Sequence, residues 1–231
     1  MAAGQCRPVP NHPKAQVISM SFQTAAYLRK ATGRAKSDVA NKLVSMFLHE
    51  VSRKITAKIG LSVADPKYGH AVETEFGGHC CYCGRLLESD RAAVEHPDGM
   101  NRFRAGLHIP GNVIVSCKKC NNEKRRDDQL PELTLAKTGW ESFLSHDGSK
   151  CGEHCKICAY WKTIWPDETR VENLKAARRK ILDFRTHYEK SIELNRKAHD
   201  SLRRELDKIY RECQLFATDR IKEAVDLLLK D

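Results

Sequence analysis

The chain is expected to fold as α+β, with a small unit of two strands and a helix, braced by metal, set in a mainly α-helical chain. Three observations predict it. Two C-x-x-C pairs, Cys80/Cys83 and Cys117/Cys120, bracket a segment whose apolar runs are short and separated by Gly, Asn and Pro. On either side of that segment, apolar residues recur at helical spacing. From Asp167 to Asp231 there is neither Gly nor Pro, the two residues that most disfavour a helix interior.

Taken in order, residues 1–16 are Pro-rich and polar and read as an arm or a loose tail. A helix is expected from Ser37, a plausible N-cap, because Val39, Leu43, Met46, Phe47, Val51 and Ile55 recur at helical spacing before Gly60. A shorter helix is expected around His70–Glu75, closed by Gly77 and Gly78. The runs Ala92–Glu95 and Val113–Val115 read as two strands, followed by a charged helix. In the tail, one stripe uses Val171, Leu174, Ile181, Phe184, Tyr188 and Ile192. A second, Leu202, Leu206, Ile209, Cys213 and Phe216, steps by heptads. Polar Asn195–Asp200 suggests a break between them, and Thr218 the start of a last helix. Four regions follow: a helical region 1–76, a metal-braced core 77–130, a Cys/His/Trp-rich region 131–166 and a helical, coiled-coil-like region 167–231.

Charge narrows the function classes. Of 231 residues, 40 are Lys or Arg and 30 are Asp or Glu, a net charge of +10. Such a surplus favours polyanionic partners, since each neutralised phosphate releases condensed counterions. The opening MAAGQCRPVPNHPK lacks the apolar core of an export signal, and no run reaches the roughly 18 to 20 apolar residues of a membrane span. The 10 cysteines fall largely as C-x-x-C pairs, which fits thiolates on metal in a reducing cytoplasm better than disulfides.

Two residues between cysteines let both sulfurs of a tight turn reach one ion at about 2.3 Å, and two such turns complete a tetrahedron. Cys80, Cys83, Cys117 and Cys120 are therefore expected to hold a structural zinc. Cys81 sits at the wrong offset from Cys83 to replace Cys80. A second cluster follows, His146, Cys151, His154, Cys155 and Cys158, among Trp140, Trp161 and Trp165. Cys151, Cys155 and Cys158 have ligand spacing, and His146 is preferred over His154 as the fourth because His154 adjoins Cys155 directly. Cys6 and Cys213 have no evident partner.

Between the first two pairs lie Glu95 and His96 at the end of an apolar run, then Asn112, Cys117, Cys120, Asn121 and Lys124. This order resembles the zinc-bearing HNH (ββα-metal) endonuclease family, in which an acidic-His pair precedes Asn, then C-x-x-C, then His or Asn, then Lys. The resemblance runs from His79 to Lys124. It implies that His96 is the general base, that Glu95 and Asn121 hold Mg2+ or Mn2+, and that Asn112 steadies the loop carrying the His. Imidazole titrates near neutral pH, and a carboxylate and an amide oxygen are hard ligands. The chain departs from the commoner pattern in having Glu for Asp and Asn at the third position, an His-Asn-Asn variant. Asn122 rivals Asn121, and His108 rivals His96.

The resemblance implies hydrolysis of DNA to 5′-phosphate and 3′-hydroxyl ends, as in bacterial restriction and anti-phage nucleases. Lys118, Lys119, Lys124, Arg125 and Arg126 are the expected phosphate contacts, with DNA favoured over RNA. The alternatives are a zinc-braced nucleic-acid-binding module, or a nuclease subunit of a larger defence complex. In the last case the heptad seam would dock a partner or a second copy.

Overall fold

A computed structural model describes residues 38–89, 91–127 and 139–229. The expected N-terminal arm, the Ser37 cap and Cys6 lie outside them. Helix α1 covers 38–59; α2 is Pro66–Phe76, β1 Ala92–Glu95, β2 Ile114–Cys117 and α3 Lys118–Asp127. Then come α4 (Trp140–Ser145), α5 (Lys156–Ile164), α6 (Thr169–Thr186) and α7 (Glu189–Leu228). The described architecture is mostly helical with one small sheet, as an α+β fold requires. No helix among these residues is long and apolar enough to cross a membrane.

The strands pair antiparallel, Ala92 opposite Cys117 and Glu95 opposite Ile114. The first cysteine turn docks on them, because the Cys81 amide donates to the Val115 carbonyl at 3.1 Å. The charged helix starts directly from the second strand, so Cys117 closes β2 and Cys120 sits in the first turn of α3. Helix α2 begins earlier than its apolar spacing alone suggests. Asp65 caps it through Lys67 N at 2.9 Å and Pro66 occupies the first turn, where a missing N–H costs nothing. Gly77, left-handed at φ 55, ends it as expected.

Two cores result. The larger joins α2 (Tyr68, Phe76), the cysteine turns and Ile114 to Trp140, Phe143, Trp161, Ile181 and Phe184. The smaller packs Val44 and Leu48 of α1 and Leu202 and Leu206 of α7 around Ala105, Leu107 and Ile109 of the loop between the strands. All four regions marked out along the sequence contribute residues to these cores.

Three helical expectations change. On α1 the buried row is Ala40, Val44, Leu48 and Ser52, one step from the expected stripe, leaving Val39 and Met46 exposed. Phe47, Val51 and Ile55 of the expected stripe still pack partly against the smaller core. The tail breaks at His187–Tyr188, not at Asn195–Asp200. Asn195 is buried inside α7, and its Oδ1 accepts from Leu107 N at 3.1 Å, which compensates the buried amide. Thr218 likewise opens no helix: its hydroxyl donates to the Gln214 carbonyl one turn back, within α7. Of the heptad seam, Leu202 and Leu206 are buried within the chain, whereas Phe216 is exposed.

Candidate functional site

Backbone hydrogen bonds and a left-handed glycine shape the first cysteine turn. Cys80 N donates to Arg85 O at 2.8 Å, and Gly84 N returns to Cys80 O at 2.9 Å with Gly84 at φ 65. Cys80, Cys83, Cys117 and Cys120 are all buried, their sulfurs lying within 4.8 Å of one another. Cys83 and Cys117 are 3.9 Å apart, close to the sulfur–sulfur edge of a tetrahedron with bonds of about 2.3 Å. Hydrogen bonds from Cys117 and Cys120 hold the Cys80 thiol well below its usual range, while contact with Cys117 pushes Cys120 up. Four sulfurs this crowded cannot all ionise without a cation, and a divalent soft ion satisfies them together. Tyr160, from α5, brings its hydroxyl within 3.0 Å of Cys120 Sγ, an outer partner that steadies a ligating thiolate. Cys81 is buried beside the cluster but is not part of it.

The second cluster gathers His146, Cys151, Cys155 and Cys158, again within 4.8 Å. His146 Nδ1 lies 3.2 Å from both Cys151 Sγ and Cys155 Sγ. His146 is thus the assembled fourth ligand, and His154 is exposed outside it. Both clusters can hold zinc. Only Cys158 of the second set is fully buried. Cys213, in α7, is a free thiol in neither cluster.

Between the strands, the loop 96–113 is held from five helices, α3 among them through Lys124 Nζ on His96 O. Asn112 Oδ1 accepts from Asp98 N at 2.8 Å, and its Nδ2 donates to Leu107 O at 2.8 Å. Arg185 of α6 pairs with Asp98 at 2.8 Å and reaches Gly111 O at 3.2 Å. Tyr68 of α2 donates to Val113 O at 2.5 Å and accepts from Gly111 N. Ser52 of α1 accepts from His108 N at 2.8 Å, and Asn195 of α7 holds Leu107. The loop leaves little room: a Cβ at Gly106 would stand 2.4 Å from Asp98 O, so only glycine fits. Asn112 therefore fastens the residues just after His96, through a fully buried amide.

His96 is half-buried at the end of β1, and its Nε2 is 2.9 Å from His108 Nδ1. The ring of His49, from α1, lies 5.0 Å from that of His108. Burial first, then His108, Lys124 and His49, push the His96 imidazole down to about 3, and burial also lowers His108. The motif contains no signal for His49, Ser52, Arg185 or Tyr160, because they arrive from distant helices.

Two of the expected site residues meet each other in the interior. Strand alternation turns Val94 outward, 58% exposed, and Glu95 inward, 1% exposed. There Glu95 Oε1 accepts from Lys124 Nζ at 2.5 Å and from the Tyr82 hydroxyl at 3.2 Å. A carboxylate neutralised this way does not fit a hard-cation site. Lys124 is buried at 2% exposure and also donates to His96 O at 2.8 Å. A buried charge needs such a partner. Asn121 is partly exposed at the start of α3, and its Nδ2 donates to Val94 O at 3.1 Å. Its neighbour Asn122 is exposed, as are Lys118 and Lys119, while the side chains of Arg125 and Arg126 lie outside the described residues. Comparison with protein-family models, with curated proteins and with solved structures gave no match.

Proposed function

We propose that the chain is a DNA endonuclease of the HNH type, hydrolysing phosphodiesters to 5′-phosphate and 3′-hydroxyl ends and serving restriction or anti-phage defence. One observation carries the reading. The paired strands and the helix after them are clamped by a four-cysteine cluster, and Asn112 hydrogen-bonds back to Asp98, two residues beyond His96. That is the service the resemblance requires of this Asn. A structural zinc alone would need neither the imidazole nor its buried brace.

In this reading zinc on the thiolates supplies rigidity. His96, neutral at working pH, presents an imidazole to the scissile phosphate or its water, and its depressed basicity makes it a weak base. Exposed Lys118 and Lys119 meet phosphates, aided by the net charge of +10. The resemblance also brings Mg2+ or Mn2+ on Glu95 and Asn121, but the Glu95–Lys124 pair does not fit it, and no step is routed through that ion.

The same buried pair favours a second reading, a zinc-braced module that binds nucleic acid without cutting. The test uses the zinc-loaded protein with supercoiled DNA and with RNA, in magnesium, manganese, cobalt, nickel or EDTA. Nicked or linear DNA, lost in His96→Ala by about two to four orders of magnitude with binding retained, supports the nuclease. Binding with no cleavage in every metal would give the case to the binding module.

A further inference from the structure

Helix α7 sorts its residues by face. Ser191, Asn195, Leu202 and Leu206 form its buried side. That side is fixed by the Asn195 hydrogen bond to Leu107 and by packing on Ala105, Leu107 and Ile109. On the opposite side Lys190, Lys197, Arg204 and Arg211 follow at seven-residue steps, and Lys208 lies one turn beyond Arg204. Seven residues fall only about 20° short of two helical turns, so these bases share one outward strip. All five are exposed.

The acids of the same stretch are spent elsewhere or turned aside. Asp207 reaches Arg102 of the loop between the strands at 3.9 Å, and Asp200 pairs with neighbouring His199 at 2.9 Å. Glu205 points about 100° away from Arg204, off the strip. Glu193 does stand on it, pairing with Arg196 and, at 3.8 Å, with Lys197. Exposed pairs of this kind are weak, so a phosphate can replace the carboxylate.

The dimensions and the chemistry select the partner. From Lys190 to Arg211 the helix runs about 31 Å, the length of about nine base pairs of a duplex. No Gly or Pro interrupts it, so the charges sit on a straight rod. Single strands are gripped with aromatic platforms, and the strip carries none: Tyr210 is turned to Arg102, whose guanidinium lies 4.0 Å over its ring. A membrane surface needs an apolar side to insert, and here that side is buried in the protein.

From this we infer that the outward strip of α7 is a second DNA-contact surface, holding the phosphate backbone of a duplex beyond the unit that carries His96. The inference rests on the nucleic-acid part of the proposed function. The same helix holds Leu107, next to His108, so one loop joins the strip to the candidate site. Its bases meet phosphates, which position a duplex without reading its sequence.

The experiment titrates full-length, zinc-loaded protein, without added magnesium or manganese, into a fluorescent duplex of about 30 base pairs. Salt runs from about 50 to 200 mM, and single-stranded RNA of the same length is titrated in parallel. Combining Lys197→Gln, Arg204→Gln, Lys208→Gln and Arg211→Gln should weaken duplex binding by about tenfold or more. The salt slope should flatten by about two or more, because each lost phosphate contact removes about 0.9. Zinc content and melting temperature should stay at the wild-type values, since these side chains are exposed and Gln is a good helix former. If the combined variant melts early, Arg204→Gln with Lys208→Gln carries the test at about half the slope change. Lys175→Gln, Arg178→Gln, Arg179→Gln and Lys180→Gln together remove the same charge from exposed positions of α6, and should barely move the slope.

A slope unchanged by the α7 substitutions, or moved equally by those in α6, would mean a solvated face or general charge only and would overturn the inference. Tighter binding to the single-stranded RNA, lost with the same α7 substitutions, would overturn the duplex assignment. Wild-type protein that cuts DNA while the α7 variant keeps the full slope retains the nuclease reading and loses this inference. One that cuts nothing in any metal while the slope falls as expected does the reverse, and one that binds no duplex loses both.

Discussion

The two thiol clusters share a ligand chemistry but not a setting. Cys80, Cys83, Cys117 and Cys120 are all buried and join residues far apart in the chain, tying the first cysteine turn to β2 and α3. His146, Cys151, Cys155 and Cys158 close one short stretch between α4 and α5, with three of the four partly open to solvent. The first cluster belongs to the larger core, between Tyr82, Ile114 and Tyr160; no ligand of the second is part of that core, although Cys158 is buried. Similar ligands can thus serve as the centre of a fold or as a local clip. Which it is depends on how much of the surrounding chain has no other means of being held.

The sharpest way to break this comparison is to remove one ligand from each cluster. Cys120→Ser should abolish cooperative folding, because structural zinc contributes on the order of 10 kcal/mol and the remaining buried thiols would be uncompensated. Circular dichroism and zinc analysis would check it, against an expected two zincs per chain in the wild type. A Cys120→Ser protein that melts like the wild type would remove the first cluster from the centre of the fold.

A metal-free control comes next in size. Leu206 is fully buried between α1 and the loop residues 105–109. Leu206→Asp should destabilise by at least about 3 kcal/mol, since truncating a buried Leu alone costs about 2 to 5 kcal/mol and a buried carboxylate adds to it, while leaving both zincs bound. Phe216→Asp, on the exposed half of the seam, should leave the melting temperature nearly unchanged. Equal effects of the two would show that the whole seam is covered.

Cys155→Ser should be milder. One zinc is lost, α4 and α5 loosen near their junction, and amide exchange across β1 and β2 stays slow. If the strands exchange as fast as the α4–α5 segment, the second cluster is no clip but a second centre.

The smallest expected effect probes the link between the two. Tyr160 shares α5 with Cys158 and reaches Cys120 Sγ. Tyr160→Phe removes one hydrogen bond to a ligand, so a loss of about 1 to 3 kcal/mol is expected. A competing chelator should take the first zinc sooner, with release from the second unaltered. Unchanged release from the first would mean the hydroxyl packs without steadying the thiolate.

The sequence by itself determined what depends on spacing along the chain. Two residues between cysteines make a chelating turn wherever it lies, so both ligand sets were legible, down to His146 over His154. The strand pair, the helix after it and the Gly77 cap were also readable, since alternation, helical period and backbone preference are local. For Asn112 the sequence offered only what the resemblance implies; its hydrogen bonds to Asp98 N and Leu107 O come from the structure.

Tertiary structure alone decided which side chains are spent on one another. Glu95 and Lys124 look like a ligand and a phosphate contact until the strand's inward face and the first turns of α3 bring them together in a dry interior. An uncompensated charge cannot remain there. Which apolar row of α1 is buried, and whether Asn195 breaks or continues α7, likewise depended on the loop 105–109 that each helix meets. His49 could not be found from the motif, because the contact placing it beside His108 is made by folding and leaves no period or spacing in the sequence. Local rules act between residues a few positions apart, whereas burial and charge pairing are settled only when distant segments compete for the same interior.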